Sequence, residues 1–423
     1  MSERNDPLKV EYADGPSGLR VVRQAPPTGA ASFSATFLSP AGWAHDPPGL
    51  EATARLSSQL VTSGAGRRGR LELARYLDRA GATLTSHVDP ESAEITLWGP
   101  ATDWKSLLTV LADAVLSPRF EESDLRRVRR QLQERQLREL TQPASRAERE
   151  VTHAIFPEGH PYRETGLGDA RSLRRIRAEH IRRFHSGLFA GPGSVLVYTG
   201  PASLSSVVRA THRLFADLPS ASPPLVVLPR LGRPKRAEVR VDLPGRAQVE
   251  IRLAGASIAR TDPQYAGAYL ANEVLGGATM LSRLFHRVRA LGGLAYHASS
   301  QLEAMRWGGH WSAQAGTGAD RWPKVVPMLR EEVERISSAN VPARELDVVR
   351  ESRIGEMQLS LESTSEAHEL AVEVGYFGLA ADHWKEWPSR LRSLTPREVR
   401  SAAETALDPG RAVTVLAGPL GAA

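Results

Sequence analysis

Residues 275–296 read Leu-Gly-Gly-Ala-Thr-Met-Leu-Ser-Arg-Leu-Phe-His-Arg-Val-Arg-Ala-Leu-Gly-Gly-Leu-Ala-Tyr. From Met280 to Arg289, Leu281, Leu284, Phe285 and Val288 recur at i, i+3, i+4 and i+7 with arginines on the other flank. That spacing predicts an amphipathic helix whose four apolar side chains face a core. Gly276 and Gly277 end the helix before it, Gly292 and Gly293 end this one, and Leu294-Ala-Tyr-His-Ala-Ser-Ser reads as the start of a strand. Arg289, from the last helical turn, and Tyr296, from the strand, are thereby delivered to the two sides of one tight turn.

This pattern resembles the C-terminal half of the pitrilysin/insulinase superfamily of metallopeptidases, which includes mitochondrial processing peptidase and its two-gene bacterial relatives. There a Leu-Gly-Gly segment leads into Ser-Arg-Leu-Phe, an Arg near the helix end and a Gly-Leu-Ala-Tyr strand start, all present here. The resemblance implies that Arg289 holds a backbone carbonyl of a bound peptide and that the Tyr296 hydroxyl donates to the oxyanion of the tetrahedral intermediate. One preorganised donor of this kind contributes about 3–4 kcal/mol to catalysis. The structural alternative is an arginine snorkelling at a helix end and a tyrosine filling a strand.

A chain of 423 residues with 41% hydrophobic and 24% charged residues is expected to be globular, with two or more domains. No apolar run reaches the length of a membrane span and the first residues lack the apolar segment of a signal peptide, so cytoplasmic residence is the expectation. With no cysteine, disulfides, thiolate zinc sites and cysteine nucleophiles are excluded together. The formal charge of +6 is carried by arginine, lysine occurring only at positions 9, 105, 235, 324 and 385. The densest basic run, Arg126 to Arg138, is interleaved with Leu125, Val128, Leu132 and Leu137 at helical spacing, which reads as a solvated helix face and not a nucleic-acid surface.

The first half reads as strands at 19–23 and 32–38, helices at 50–61 and 71–80, strands at 83–88 and 94–98, then helices at 104–116 and 122–140. The segment 145–155, the loop at His160, helices across 178–185 and 204–215 and a strand at 194–198 complete the half. The strand at 32–38 alternates as a half-buried strand does. A proline-rich stretch at 219–236 is the expected linker, dividing an N-terminal lobe (1–218) from a C-terminal lobe (237–423). The second lobe repeats the first. Val195-Leu-Val-Tyr-Thr-Gly-Pro recurs as Val413-Thr-Val-Leu-Ala-Gly-Pro, and Trp104, Leu108 and Leu111 recur as Trp322, Val326 and Leu329, both offset by 218 residues. The expected fold is α+β, two duplicated lobes each made of an antiparallel sheet packed with helices. The superfamily resemblance implies that the lobes surround a peptide-binding chamber.

Active superfamily members carry His-x-x-Glu-His on the first helix, which puts two imidazoles on one face with the glutamate as general base. Here the aligned run is Arg55-Leu-Ser-Ser58-Gln59, so all three functional positions are replaced, and Gln136 stands near the expected position of the distal glutamate ligand, with Glu134 close by. An arginine stays protonated and has no lone pair for a metal. His160-Pro-Tyr162 also matches a superfamily segment, but is as readily a turn with a buried tyrosine. The resemblance and this loss together imply a subunit that binds no metal or cofactor of its own. It supplies Arg289 and Tyr296 to the zinc site of a homologous His-x-x-Glu-His partner in a heterodimer that acts on peptides. The alternative is a non-proteolytic scaffold or peptide-binding dimer, and the isolated chain could form a homodimer.

Overall fold

Strand Ser32–Ser39 alternates Phe33, Ala35 and Phe37 with Ser34, Thr36 and Leu38, a pattern expected to leave one face wet. In the computed structural model, which describes residues 6–232 and 237–420 and leaves out the side chains of residues 279 and 291, both faces are buried. Helix Trp104–Leu116 lies against one side of the strand, and helix Thr364–Phe377 packs on the strand as well. The second helix carries a hydrogen-bonding group for the polar face. His368 Nε2 lies 2.7 Å from Thr36 Oγ1 and His368 Nδ1 2.9 Å from Thr199 Oγ1. The polar face is thus covered by protein from more than 300 residues away in sequence.

The first sheet consists of β1 (Val10–Asp14), β2 (Arg20–Gln24), β3 (Ser32–Ser39), β4 (Thr83–Val88), β5 (Ala93–Pro100) and β6 (Val195–Thr199), in the order β1-β2-β6-β3-β5-β4. The second consists of β7 (Glu238–Asp242), β8 (Gln248–Ser257), β9 (Ala295–Met305), β10 (Gly308–Gly318) and β11 (Val413–Gly418), in the order β7-β11-β8-β10-β9. Adding 218 to the residues of β2 yields β7, and adding it to β6 yields the first five residues of β11. Neither sheet is wholly antiparallel: β2 pairs with β6, and β7 with β11, in parallel. A parallel pair needs a long crossover, and here three further strands and the helices between the paired strands supply it.

The two compact units do not follow contiguous halves of the chain. Unit one takes Met1–Gln136, Thr165–Val227 and Met357–Glu386; unit two takes Leu137–Glu164, Leu228–Glu356 and Trp387–Ala423. Equivalent helices of the duplicated halves have been exchanged. Helix Pro143–Ile155 packs on β8 and β11, where Ala147, Val151 and Ile155 join Ala254, Val413, Val415 and Ala417 in one core. Helix Thr364–Phe377 packs on β2, β3 and β6. Each helix has its apolar stripe buried, but against the sheet of the other half, a choice that periodicity does not encode.

The stretch 218–232 has neither helix nor strand and leaves Leu225 and Val227 exposed, as a connector would; residues 233–236 of the expected linker lie outside the described residues. Helix Glu122–Thr141 buries Leu125, Val128 and Leu132 while its arginines face outward or reach neighbouring carbonyls, as Arg129 does to Ile176 at 2.7 Å. Among the described residues no helix is long and apolar enough to cross a membrane.

Candidate functional site

Within unit one, helix Thr53–Val61 carries the positions where a metal motif would stand. It starts three residues later than expected because the Asp46 carboxylate caps it, accepting from the Ala52 and Ala54 amides at 2.8 and 2.7 Å. Burial raises the Asp46 pKa to about 7 despite those two bonds. Arg55 lies over the Trp43 ring at 4.7 Å and donates through Nε and Nη2 to the Thr165 carbonyl at 2.9 and 2.6 Å. Ser58 Oγ donates to the His87 carbonyl at 3.2 Å. Gln136 Nε2 donates to the carbonyls of Leu167 and Gly168 at 2.9 and 3.0 Å.

Arg55 and Gln136 therefore hold one loop, Thr165–Gly168, from two directions. Gly166 is required there: it has φ of +66°, and a Cβ would come within 2.6 Å of the Trp43 ring. These residues do not fit a zinc ion. Zinc takes thiolate, imidazole or carboxylate donors, whereas Arg55 presents a permanent cation and Ser58 and Gln136 donate hydrogen bonds to carbonyls. Glu134 is exposed on the neighbouring helix. Arg55 and Gln136 act here as struts for a loop, and Ser58 is spent on the His87 carbonyl.

In unit two the single helix expected at 280–289 is broken into shorter segments. Helix Tyr265–Asn272 runs on into a π-helical segment, Glu273–Gly277; a 3₁₀ turn spans Thr279–Leu281, and a second π-helical segment spans Phe285–Leu291. Leu284 and Val288, one turn apart, are buried, and Phe285 is half-buried. Leu281 is 41% exposed, because it belongs to the separate 3₁₀ turn and does not share the stripe of the wound segment. The first π segment crosses β9 closely enough that a Cβ on Gly276 would lie 2.2 Å from the Ser300 amide nitrogen. Wide π turns of this kind recur where helices present functional groups.

Three arginines project from the second part of the stretch, and two are tied down. Arg283 makes a two-bond pair with Glu345 at 2.7 and 2.8 Å, and Arg287 pairs with Glu332 at 2.8 Å and with Glu331. Arg289 is exposed, and its guanidinium lies 5.1 Å from the Phe285 ring centroid. Tyr296 is 63% exposed at the start of β9. There Ala295 pairs with Thr317 and His297 with Gly316, so Tyr296 is the extra residue of a β-bulge. A bulge redirects a side chain out of the strand's alternation. Among the described residues, neither Arg289 nor Tyr296 spends its polar tip on a hydrogen bond or ion pair.

Arg289 also lines a groove of about 610 Å³ within unit two. Tyr265, Tyr269, Glu273 and Phe285 form part of its wall, and β9 from His297 to Glu303 forms another. Tyr269 is held above its usual pKa, chiefly by burial and then by the Glu273 charge. Burial likewise raises the Glu273 carboxyl, against the pull of Arg353. Neither residue stands out in the sequence. Only the adjacency of Glu273 to the Leu-Gly-Gly run could have drawn notice.

His160-Pro-Tyr162 belongs to unit two as packing. Tyr162 is buried edge-on to Phe156 and stacked on Trp307, whose amide donates to the Tyr162 hydroxyl at 3.1 Å. His160 Nδ1 accepts from the Tyr162 amide at 3.1 Å.

Residues 20–166 match the insulinase (peptidase family M16) domain, and residues 175–353 match the peptidase M16 inactive domain. An uncharacterized zinc protease of Streptomyces coelicolor is 27% identical, over 96% of this chain and 88% of that protein. The mitochondrial-processing peptidase subunit beta of Lentinula edodes is 22% identical, over 64% of this chain and 60% of that protein. Among solved structures, the peptidase M16 inactive domain of Pseudomonas fluorescens superposes with a TM-score of 0.90 at 22% identity, covering 98% of both chains.

Proposed function

The chain belongs to the insulinase family of peptidases, family M16, and from that premise we propose that it is the non-zinc-binding subunit of a two-chain metallopeptidase. One observation carries this reading. Arg55 and Gln136, at two of the metal positions, are engaged in holding a loop, whereas among the described residues the Arg289 guanidinium, lying against the Phe285 ring, and the Tyr296 hydroxyl make no hydrogen bond or ion pair. An exposed cation and an exposed phenol on well-supported elements are suited to act on something that arrives.

The arriving group is a peptide, and the zinc sits on a homologous partner carrying His-x-x-Glu-His. Arg289 donates to a backbone carbonyl of the substrate and fixes its register. The Tyr296 hydroxyl, turned out of the strand by the bulge, donates to the carbonyl oxygen on which negative charge develops during water attack. The bulge sets the direction in which this side chain leaves the strand before any substrate arrives. A zinc ion held by the partner's His-x-x-Glu-His residues would supply the activation of the attacking water.

The test is reconstitution. The purified chain is mixed with a homologous His-x-x-Glu-His subunit, and hydrolysis of a quenched fluorescent peptide is followed. Activity that requires both chains and falls with Tyr296→Phe supports the proposal. A stable complex whose hydrolysis is indifferent to Arg289 and Tyr296 would replace it with the scaffold alternative.

A further inference from the structure

The groove beside β9 holds a buried acid without a full partner. Glu273, on the first π segment, is 8% exposed, and its Oε2 makes no hydrogen bond. The nearest cation on that oxygen, Arg353 Nη1, is 3.5 Å away, and the same guanidinium also pairs with Glu356 through its other terminal nitrogen. A buried carboxylate oxygen in this state has one long ion pair and no hydrogen bond to replace the water it has lost. Burial accordingly holds the Glu273 carboxyl above the usual carboxylate range.

Two further features say what kind of molecule fits. Among the described residues strand β9 is the edge of its sheet, paired with β10 alone, and His297–Glu303 of that strand line the groove. An unpaired edge is a template for an extended main chain. The lining also carries two carboxylates, Glu273 and Glu303, against one guanidinium, Arg289, and aromatic rings at Tyr265, Tyr269 and Phe285. Arg260 and Arg289 already lie against the Tyr265 and Phe285 rings, so this wall accepts guanidinium groups, and a carboxylate beside it suits the alkyl stem and charged head of a basic side chain.

We propose that this groove takes a peptide in extended form along β9, and that a lysine or arginine side chain of the peptide enters it to donate to Glu273 Oε2. The inference rests on the reading of this half-site as peptide-binding and adds a preference to it. Arg289 holds main chain, whereas Glu273 selects a side chain. A neutral side chain of the same length leaves Glu273 as unsatisfied as before, and the difference in affinity is the discrimination.

The test uses the full chain without any partner. Fluorescence anisotropy compares two labelled, β-prone peptides that differ at one central residue, lysine in one and norleucine in the other. The lysine peptide is expected to bind at least about tenfold more tightly, the scale of one charge-assisted hydrogen bond. Glu273→Gln is expected to reduce it to the norleucine level while leaving norleucine binding unchanged, with circular dichroism reporting that the variant is folded. Equal binding of the two peptides by the unmodified chain overturns the preference but leaves the peptide-binding reading standing, even if the variant does not fold. A lysine preference that survives in folded Glu273→Gln overturns the assignment to this pocket. Failure of both peptides to bind removes this inference and the reading beneath it together.

Discussion

Arg283, Arg287 and Arg289 share one short stretch, and what lies opposite each separates their roles. Glu345 faces the first, Glu331 and Glu332 the second, and an aromatic ring the third. In a reconstituted complex, Tyr296→Phe should lower turnover about a hundredfold, the cost of one oxyanion donor. Arg289→Ala should also raise KM, since a carbonyl contact made before the transition state is lost with it. Arg287→Ala serves as the contrast: steady-state kinetics should change little, while the melting temperature falls. The metal positions yield a second expectation. Restoring Arg55→His, Ser58→Glu and Gln59→His together should give no stoichiometric zinc by elemental analysis, because Gln136 still occupies the distal ligand position and spends its amide on Leu167 and Gly168. The same triple change should destabilise the protein by about 2 kcal/mol or more, since the Arg55 bonds to Thr165 and its contact with Trp43 are lost.

Each exchanged helix is fixed by a buried histidine, and the two titrate in opposite senses. On helix Pro143–Ile155, Glu148 reaches Arg252 at 2.5 Å and His310 at 3.3 Å. Burial alone would lower the His310 pKa, but the Glu148 bond and the charges of Glu303 and Glu148 hold it above its usual value, against Arg252. A raised histidine contributes stability that is complete below the free-imidazole value of about 6.5 and is lost as pH rises through the folded value. His368, on helix Thr364–Phe377, is pushed down to about 3 by burial. Its unfolded form takes up a proton first, so stability is lost as pH falls below about 6.5. Thermal melts across pH should therefore decline on both sides. His310→Gln is expected to flatten the alkaline limb and His368→Gln part of the acid limb, where His185, lowered to about 4 by burial, adds to the loss. Glu148→Gln should cost about 3 kcal/mol, at the low end for breaking a buried pair because Glu148 is about a third exposed.

For the whole molecule, exchange makes the two units interdependent. A protease cut in the exposed connector near Leu225 leaves each fragment holding a helix that belongs to the other fragment's sheet. The nicked chain should stay together through size exclusion and melt close to the intact protein; separation into two folded pieces would show that the exchanged helices contribute little. Assembly with a zinc-bearing homologue should appear in the same experiment as a shift to the mass of two chains.

The duplication was readable as an offset of 218 residues, because two copies of one fold need the same apolar spacing, and the sheets reproduce it strand for strand at β2 and β7. Arg289 and Tyr296 stood out for a similar reason: a run of specific residue types at fixed spacing survives in one dimension. The exchange of helices did not. A helix's stripe says that it will be covered but not by which sheet, so Ser34 and Thr36 read as a wet face in the sequence, whereas His368 covers it in the fold. The bulge at Tyr296, the π winding around Glu273 and the loop pinned by Arg55 and Gln136 were equally out of reach. Each depends on what lies across a gap in space, and only tertiary packing brings those partners together.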